Sequence, residues 1–192
     1  MRKEILISID LELNQPSGSI IQIGAVAGNI VTGEIVDRFT TFVNPGEKLG
    51  DCREGMSITD LTGIEQDDVD SACDIYDAYA YLKEFVDKNQ AFINPITWGG
   101  GDSECLRNEL LKYNADYFKS IDWIFGRRWI DAKTLYISWR LANGKDPVGG
   151  LGKALTRVGL KFNGRKHNAL HDAENTFIIY KRMLDLFKKE EI

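Results

Sequence analysis

Apolar residues cluster and alternate from residue 3 to 13 as they do in a buried strand, and a second run, Ile20-Ile21-Gln22-Ile23-Gly24-Ala25-Val26, follows the turn-rich Asn14-Gln15-Pro16-Ser17-Gly18. The two runs predict a hairpin. A third strand is expected over Glu34 to Val43, entered through the Asn29 to Gly33 turn and ended by Asn44-Pro45-Gly46. From Ile75 the period changes: Ile75, Ala78, Tyr79, Leu82, Phe85 and Val86 fall on one helical face, with Ser71-Ala72-Cys73-Asp74 ahead of them as a candidate capping box. Ala91 to Trp98 reads as a short apolar strand, Gly99-Gly100-Gly101-Asp102 as a loop, and Ser103 to Tyr113 as a helix. That order suits an α/β crossover.

A last short strand is expected over Arg128 to Asp131, with helices near Ala132 to Leu141 and Gly150 to Val158. The final helix has the clearest pattern. Leu170, Ala173, Phe177, Tyr180, Leu184 and Phe187 recur at spacings of three and four, and Lys188-Lys189 closes it with positive charge. Such a stripe must pack on the sheet. The chain has no repeat, linker or low-complexity tract to divide it, so residues 1–192 read as one domain, a size that supports a full core.

Composition narrows the function classes. The chain is 43% hydrophobic and 28% charged, which is globular, and no run is long and apolar enough to cross a membrane. Asp10 and Glu12 interrupt the first apolar run before it could act as a signal segment. Cys52, Cys73 and Cys105 lie far apart, without the spacing of a disulfide framework or a thiolate zinc site, and a cytoplasmic setting is expected. A net charge of −5 does not suit a protein that grips long duplex DNA through many phosphates. It suits a small site where metal ions meet the phosphate directly.

Asp10 and Glu12 stand two apart in an apolar strand, so both side chains emerge on one side of the sheet. Unpaired buried carboxylates are costly, and hard divalent cations take oxygen ligands from a few acids plus substrate phosphate. A solvated strand end is the plain alternative. Asp102 follows three glycines at a strand-to-helix crevice, where it can cap the helix or serve a ligand. His167 and Asp172 are five apart, which on one helix would turn them away from each other; His167 is therefore expected in the loop, leaning over Asp172 at the helix start. An imidazole can take a proton from an attacking water near neutrality, or it can be structural. His171 is read as a surface or packing residue and Asp131 as a helix cap. The run of Asp67, Asp68, Asp70 and Asp74 is read as a solvated helix N-terminus.

Taken in order, Asp10-x-Glu12, Asp102 and His167-x-x-x-x-Asp172 resemble the DEDDh subgroup of the DEDD exonuclease superfamily, and the resemblance runs over the whole chain. Ile21-Gln22-Ile23-Gly24-Ala25-Val26 completes the first motif. Asn168 excludes the subgroup that has tyrosine four residues before the last aspartate. Leu61-Thr62-Gly63-Ile64-Glu65-Gln66 and Gly159-Leu160-Lys161-Phe162-Asn163-Gly164-Arg165-Lys166-His167 are most similar to the Eri-type, three-prime histone exonuclease branch, which acts largely on RNA. Position 14 is asparagine where many relatives carry threonine.

The resemblance implies an RNase H-like α/β fold, a mixed five-stranded sheet flanked by helices. It implies hydrolysis from the 3′ end of single-stranded RNA or DNA, without a membrane partner, using two Mg²⁺ or Mn²⁺ ions. Asp10, Glu12 and Asp172 would hold the first ion, Asp10 would bridge to the second, and Asp102 would act through metal-bound water. His167 would be the general base. Leu11, Leu13, Asn14, Thr62, Gly63 and Ile64 would flank the terminal base and sugar. The alternatives are an endonuclease of the RNase H type and a non-catalytic binding module on the same fold.

Overall fold

The computed structural model describes residues 4–52, 55–112, 123–147 and 149–188. Lys3, Tyr113 and Lys189, which the sequence puts at the ends of elements, lie outside them. The opening meander forms as expected, with β1 (Ile5–Leu13), β2 (Ile20–Asn29) and β3 (Ile35–Phe42) in antiparallel register. Asn29 makes the second turn by accepting the Val31 and Thr32 amides on its side-chain oxygen. Next come α1 (Ile58–Thr62), α2 (Gln66–Asp70), α3 (Ile75–Lys88), β4 (Ile96–Thr97), α4 (Asp102–Lys112) and β5 (Ile130–Asp131). The helices α5 (Ala132–Ala142), α6 (Leu151–Arg157) and α7 (Ala169–Lys188) follow. The sheet order is β3-β2-β1-β4-β5, with β4 parallel to both β1 and β5.

Alternation along β1 divides its side chains between two cores. Ile7, Ile9 and Leu11 join Leu82, Leu106 and Leu110 of α3 and α4, whereas Leu6 joins Val26, Ala132 and Phe177 on the opposite face. By the same period Asp10 and Glu12 belong to the face that α7 covers. A third cluster, around Tyr136, Leu155, Ile179 and Met183, binds α5 and α6 to α7.

Three expectations need correction. The acidic run does not merely precede a helix: Asp67, Asp68 and Asp70 lie in α2, whose start is a capping box between Glu65 and Asp68. Ser71 belongs to the end of that helix, its hydroxyl donating to the Asp67 carbonyl at 2.8 Å, and Asp74 alone caps α3. The strand expected over Ala91 to Trp98 shrinks to two residues, because Pro95 has no N–H to give a ladder and Phe92 and Ile93 are turned outward.

Candidate active site

The site forms where β1 passes under the start of α7, and β2 sets that approach. Gln22, buried and opposite Glu12 in the ladder, accepts the Ala169 amide at 3.0 Å and so fixes the first turn of α7. Two residues along β2, a Cβ at Gly24 would overlap the backbone of Ala169 and Leu170. Glycine is required there by the closeness of helix to strand, which brings Asp172 down onto the face carrying Asp10 and Glu12.

His167 lies in the loop ahead of α7, with the left-handed φ of 57°. Its backbone N–H donates to Asp172 Oδ2 at 3.0 Å, which holds loop and helix together. Ligand atoms of Glu12, His167 and Asp172 all lie within 4.8 Å of one another. The loop is anchored upstream by Asn175, which is fully buried: it accepts the Asn163 amide at 2.9 Å and donates to the Asn163 carbonyl at 2.8 Å. His171 is not idle packing, since its Nδ1 accepts the Arg165 amide at 3.0 Å in the same loop. Asp102 stands in the first turn of α4, near enough for its charge to act on Asp10 and Glu12, after a turn whose Gly99 and Gly101 have φ of 99° and 123°, values that other residues adopt only under strain. Asp131 caps α5 as expected and also accepts the Gly99 amide, at 3.1 Å, tying that turn to β5.

Four acids therefore converge where water is scarce. Burial, followed by the charges of Asp102, Glu12 and Asp172, holds the Asp10 carboxyl well above the usual carboxylate range. Glu12 is pushed up to about 8 by burial and then by Asp172 and Asp102. Asp102 is raised to about 6, mainly by burial and further by Asp131, against the pull of its own backbone N–H. Asp172 is also raised by burial, with the His167 amide and nearby positive charge opposing. None of the ion pairs among the described residues includes any of the four. Oxygen donors with an imidazole beside them, short of counter-charge, fit hard divalent cations.

Two hollows flank the acids. One, of about 620 Å³, is lined by Leu11, Glu12, Leu13, Met56, Ile58, Leu61 and Thr62 among others. Leu11, Leu13 and Thr62 thus line one hollow beside Glu12, although the Thr62 hydroxyl is engaged with the Ile58 carbonyl at 2.8 Å. The lining does not include Asn14, Gly63 or Ile64. Asn14 is buried, giving its amide to Glu47 and the Lys48 carbonyl and accepting the Gly50 amide, so it braces the 44–52 loop instead of facing a ligand. Ile64 is core, packed with Ile21, Ile58 and Val69, and Gly63 lies under the Arg165 guanidinium. The other hollow, of about 430 Å³, has Asp10, His167 and Asp172 on one side and Trp98, Lys133, Lys153, Phe162 and Lys166 around the rest. The sequence reading missed Gln22 and the three lysines. Gln22 was detectable as a polar residue in an apolar strand; the lysines were not, because single surface lysines are ordinary.

The exonuclease (RNase T) family model matches residues 7–180. The chain belongs to that family. Mouse ERI1 exoribonuclease 2 is 30% identical to this exonuclease-family chain over 186 residues, which cover 88% of it and 26% of the mouse protein. The Drosophila 3′-5′ exonuclease Snipper is 30% identical over 181 residues, 81% of this chain and 57% of Snipper. The chain therefore spans only part of the length of these curated relatives. The nuclease domain of 3′hExo, a DEDDh family member bound to rAMP, superposes with a TM-score of 0.75 at 23% identity, over 95% of this chain and 92% of that one. A 3′-exonuclease in a structure of histone mRNA stem-loop recognition gives 0.76 at 22% identity, over 96% and 83%. The mixed five-stranded sheet with flanking helices is the RNase H-like nuclease fold, and within the exonuclease family the chain is similar to the Eri and 3′hExo proteins.

Proposed function

We propose that the protein is a divalent-metal-dependent 3′ to 5′ exonuclease that shortens single-stranded nucleic acid, RNA before DNA, releasing nucleoside 5′-monophosphates. The observation that carries the proposal is the convergence of Glu12, His167 and Asp172 ligand atoms within 4.8 Å, with Asp10 and Asp102 close enough for their charges to be felt. The RNA preference rests on the exoribonuclease relatives.

Asp10, Glu12 and Asp172 would hold two Mg²⁺ or Mn²⁺ ions, and Asp102 would complete the acidic wall. Bound there, the ions supply Lewis acidity and neutralise charge at the phosphate. His167 takes the proton of the attacking water: its backbone N–H is hydrogen-bonded to Asp172, and a ring nitrogen lies within 4.8 Å of Glu12 and Asp172 oxygens. Leu11 and Leu13 offer apolar surface to the terminal base and sugar beside Glu12.

The test is a digestion of 5′-labelled single-stranded RNA and DNA of matched sequence, with Mg²⁺, Mn²⁺ or EDTA. A ladder shortening from the 3′ end is expected, abolished by EDTA and slowed about 10²- to 10⁴-fold in His167→Ala, the range that a general base supplies. Cleavage of a circular strand would turn the reading to an endonuclease, and no cleavage with any metal to a binding module.

A further inference from the structure

The apolar hollow and the lysine-lined hollow differ in chemistry, and each opens onto different members of the acid cluster. The first brings Glu12 together with Leu11, Leu13, Met56, Ile58 and Leu61, which suits a base and sugar. The second brings Asp10 and Asp172 together with Lys133, Lys153 and Lys166. None of these lysines is ion-paired among the described residues, in a chain whose net charge is −5. Unpaired cations gathered at one cleft of an acidic protein are a substrate feature more than a stability feature, since exposed ion pairs contribute little to folding and these form none.

The backbone leaves room for them. At Gly152, in the first turn of α6, a Cβ would stand 3.0 Å from Lys166 Cε, 3.3 Å from its Nζ and 3.8 Å from the Phe162 ring, so the Lys166 chain runs across the helix where any other residue would crowd it. The Lys133 chain also passes near Gly99, at 3.7 Å from where a Cβ would stand, which is ordinary contact and leaves it unhindered. Trp98 and Phe162 add aromatic surface to the same hollow.

We infer that Lys133, Lys153 and Lys166 form the track along which the 5′ part of the strand leaves the site, gripping the phosphates upstream of the bond that is cut. This rests on the exonuclease reading above. A 3′-terminal nucleoside brings no phosphate beyond the scissile one, whereas each upstream nucleotide brings one; the side of the acids that carries cations is therefore the upstream side. Threading is fixed by that asymmetry: 3′ end toward Leu11 and Leu13, 5′ chain toward Lys153. Lys133 and Lys153 act on grip and register, not on bond breaking, and the bases resting on Trp98 and Phe162 are held without sequence preference.

The experiment compares the wild type with the Lys133→Ala/Lys153→Ala double variant on two substrates: a single-stranded oligonucleotide, and the p-nitrophenyl ester of thymidine 5′-monophosphate. In the ester p-nitrophenol replaces the whole upstream chain. The double variant is expected to raise KM for the oligonucleotide about tenfold and to flatten the log–log dependence of its kcat/KM on salt by about 1.4, two phosphate contacts at about 0.7 each. Its loss on the ester is expected to be much the smaller. Lys133→Arg/Lys153→Arg is expected to restore the salt slope, which separates charge from misfolding, and a thermal melt checks the fold. An unchanged KM and slope, or equal losses on both substrates, would overturn the track while leaving the exonuclease reading intact. A wild type inert toward both substrates would remove that reading, and the track with it.

Discussion

Glu12 is a carboxylate that the folded chain keeps reluctant to ionise, with its pKa raised from 4.5 to about 8 by burial and by the charges of Asp172 and Asp102. Replacing it with an isosteric neutral amide removes that conflict. In EDTA at pH 8, Glu12→Gln is expected to raise the unfolding free energy by on the order of 2 kcal/mol, read as an upward shift of the melting midpoint, while exonuclease activity is lost. A lower midpoint would mean that Glu12 has a stabilising partner. That Asp10 and Glu12 share a face was legible from their spacing, because strand period is a local property. The fate of Asn14 was not: beside the first motif it looks like a pocket residue, and only the distant 44–52 loop, which its amide braces, makes it structural. Side-chain amides find partners in three dimensions, which local sequence does not display.

Elements with a long apolar stripe, α3 and α7, and the three meander strands with their turns were legible, since their burial pattern is periodic over many residues. Of the short ones, β5 and α6 were expected, but α1 and α2 were not. The five residues of α2 have one apolar position, Val69, and are helical because Glu65 and Asp68 exchange caps and Val69 packs on Ile21, Ile58 and Ile64. β4 was overread because apolar residues before Pro95 resemble a strand, although their backbone bonds go to Ile5 and Gly126 across a loop. Where α7 meets β2, the element-scale prediction concerns Gly24. Gly24→Ala must push the Ala169–Leu170 backbone away, costing about 3 kcal/mol, the upper part of the range for overpacking. Activity is expected to fall further than that loss explains, by about 10²-fold, because an ångström of movement at Asp172 spoils its alignment with Asp10. Chemical melts and kinetics on the same preparation check this; a stable variant with full activity contradicts it.

Across the whole molecule the acid cluster sets how stability responds to pH. Asp10, Glu12, Asp102 and Asp172 all have raised pKa values when folded, so between the ordinary carboxylate range and about pH 8 the folded chain holds protons that the unfolded chain has released. Stability of the metal-free protein then falls as pH rises through that window, by up to about 1.4 kcal/mol per pH unit for each proton retained. Asp37, Glu47, Glu174 and Asp185 are shifted the other way, and their stabilisation is complete above the ordinary range, so it adds a constant in this window. Melting midpoints in EDTA are expected to drop from pH 5.5 to 8.5, with Mn²⁺ reversing the drop; a midpoint that climbs with pH in EDTA is the contrary result. The same geometry has a temporal side. The acids of β1 wait for a helix about 160 residues downstream, since Glu12 meets Asp172 only when α7 has docked on β2. A chain still being synthesised, with everything through α6 already outside the ribosome, carries Asp10, Glu12 and Asp102 but neither His167 nor Asp172. The metal-binding cluster is therefore incomplete until translation has passed the first turns of the last helix.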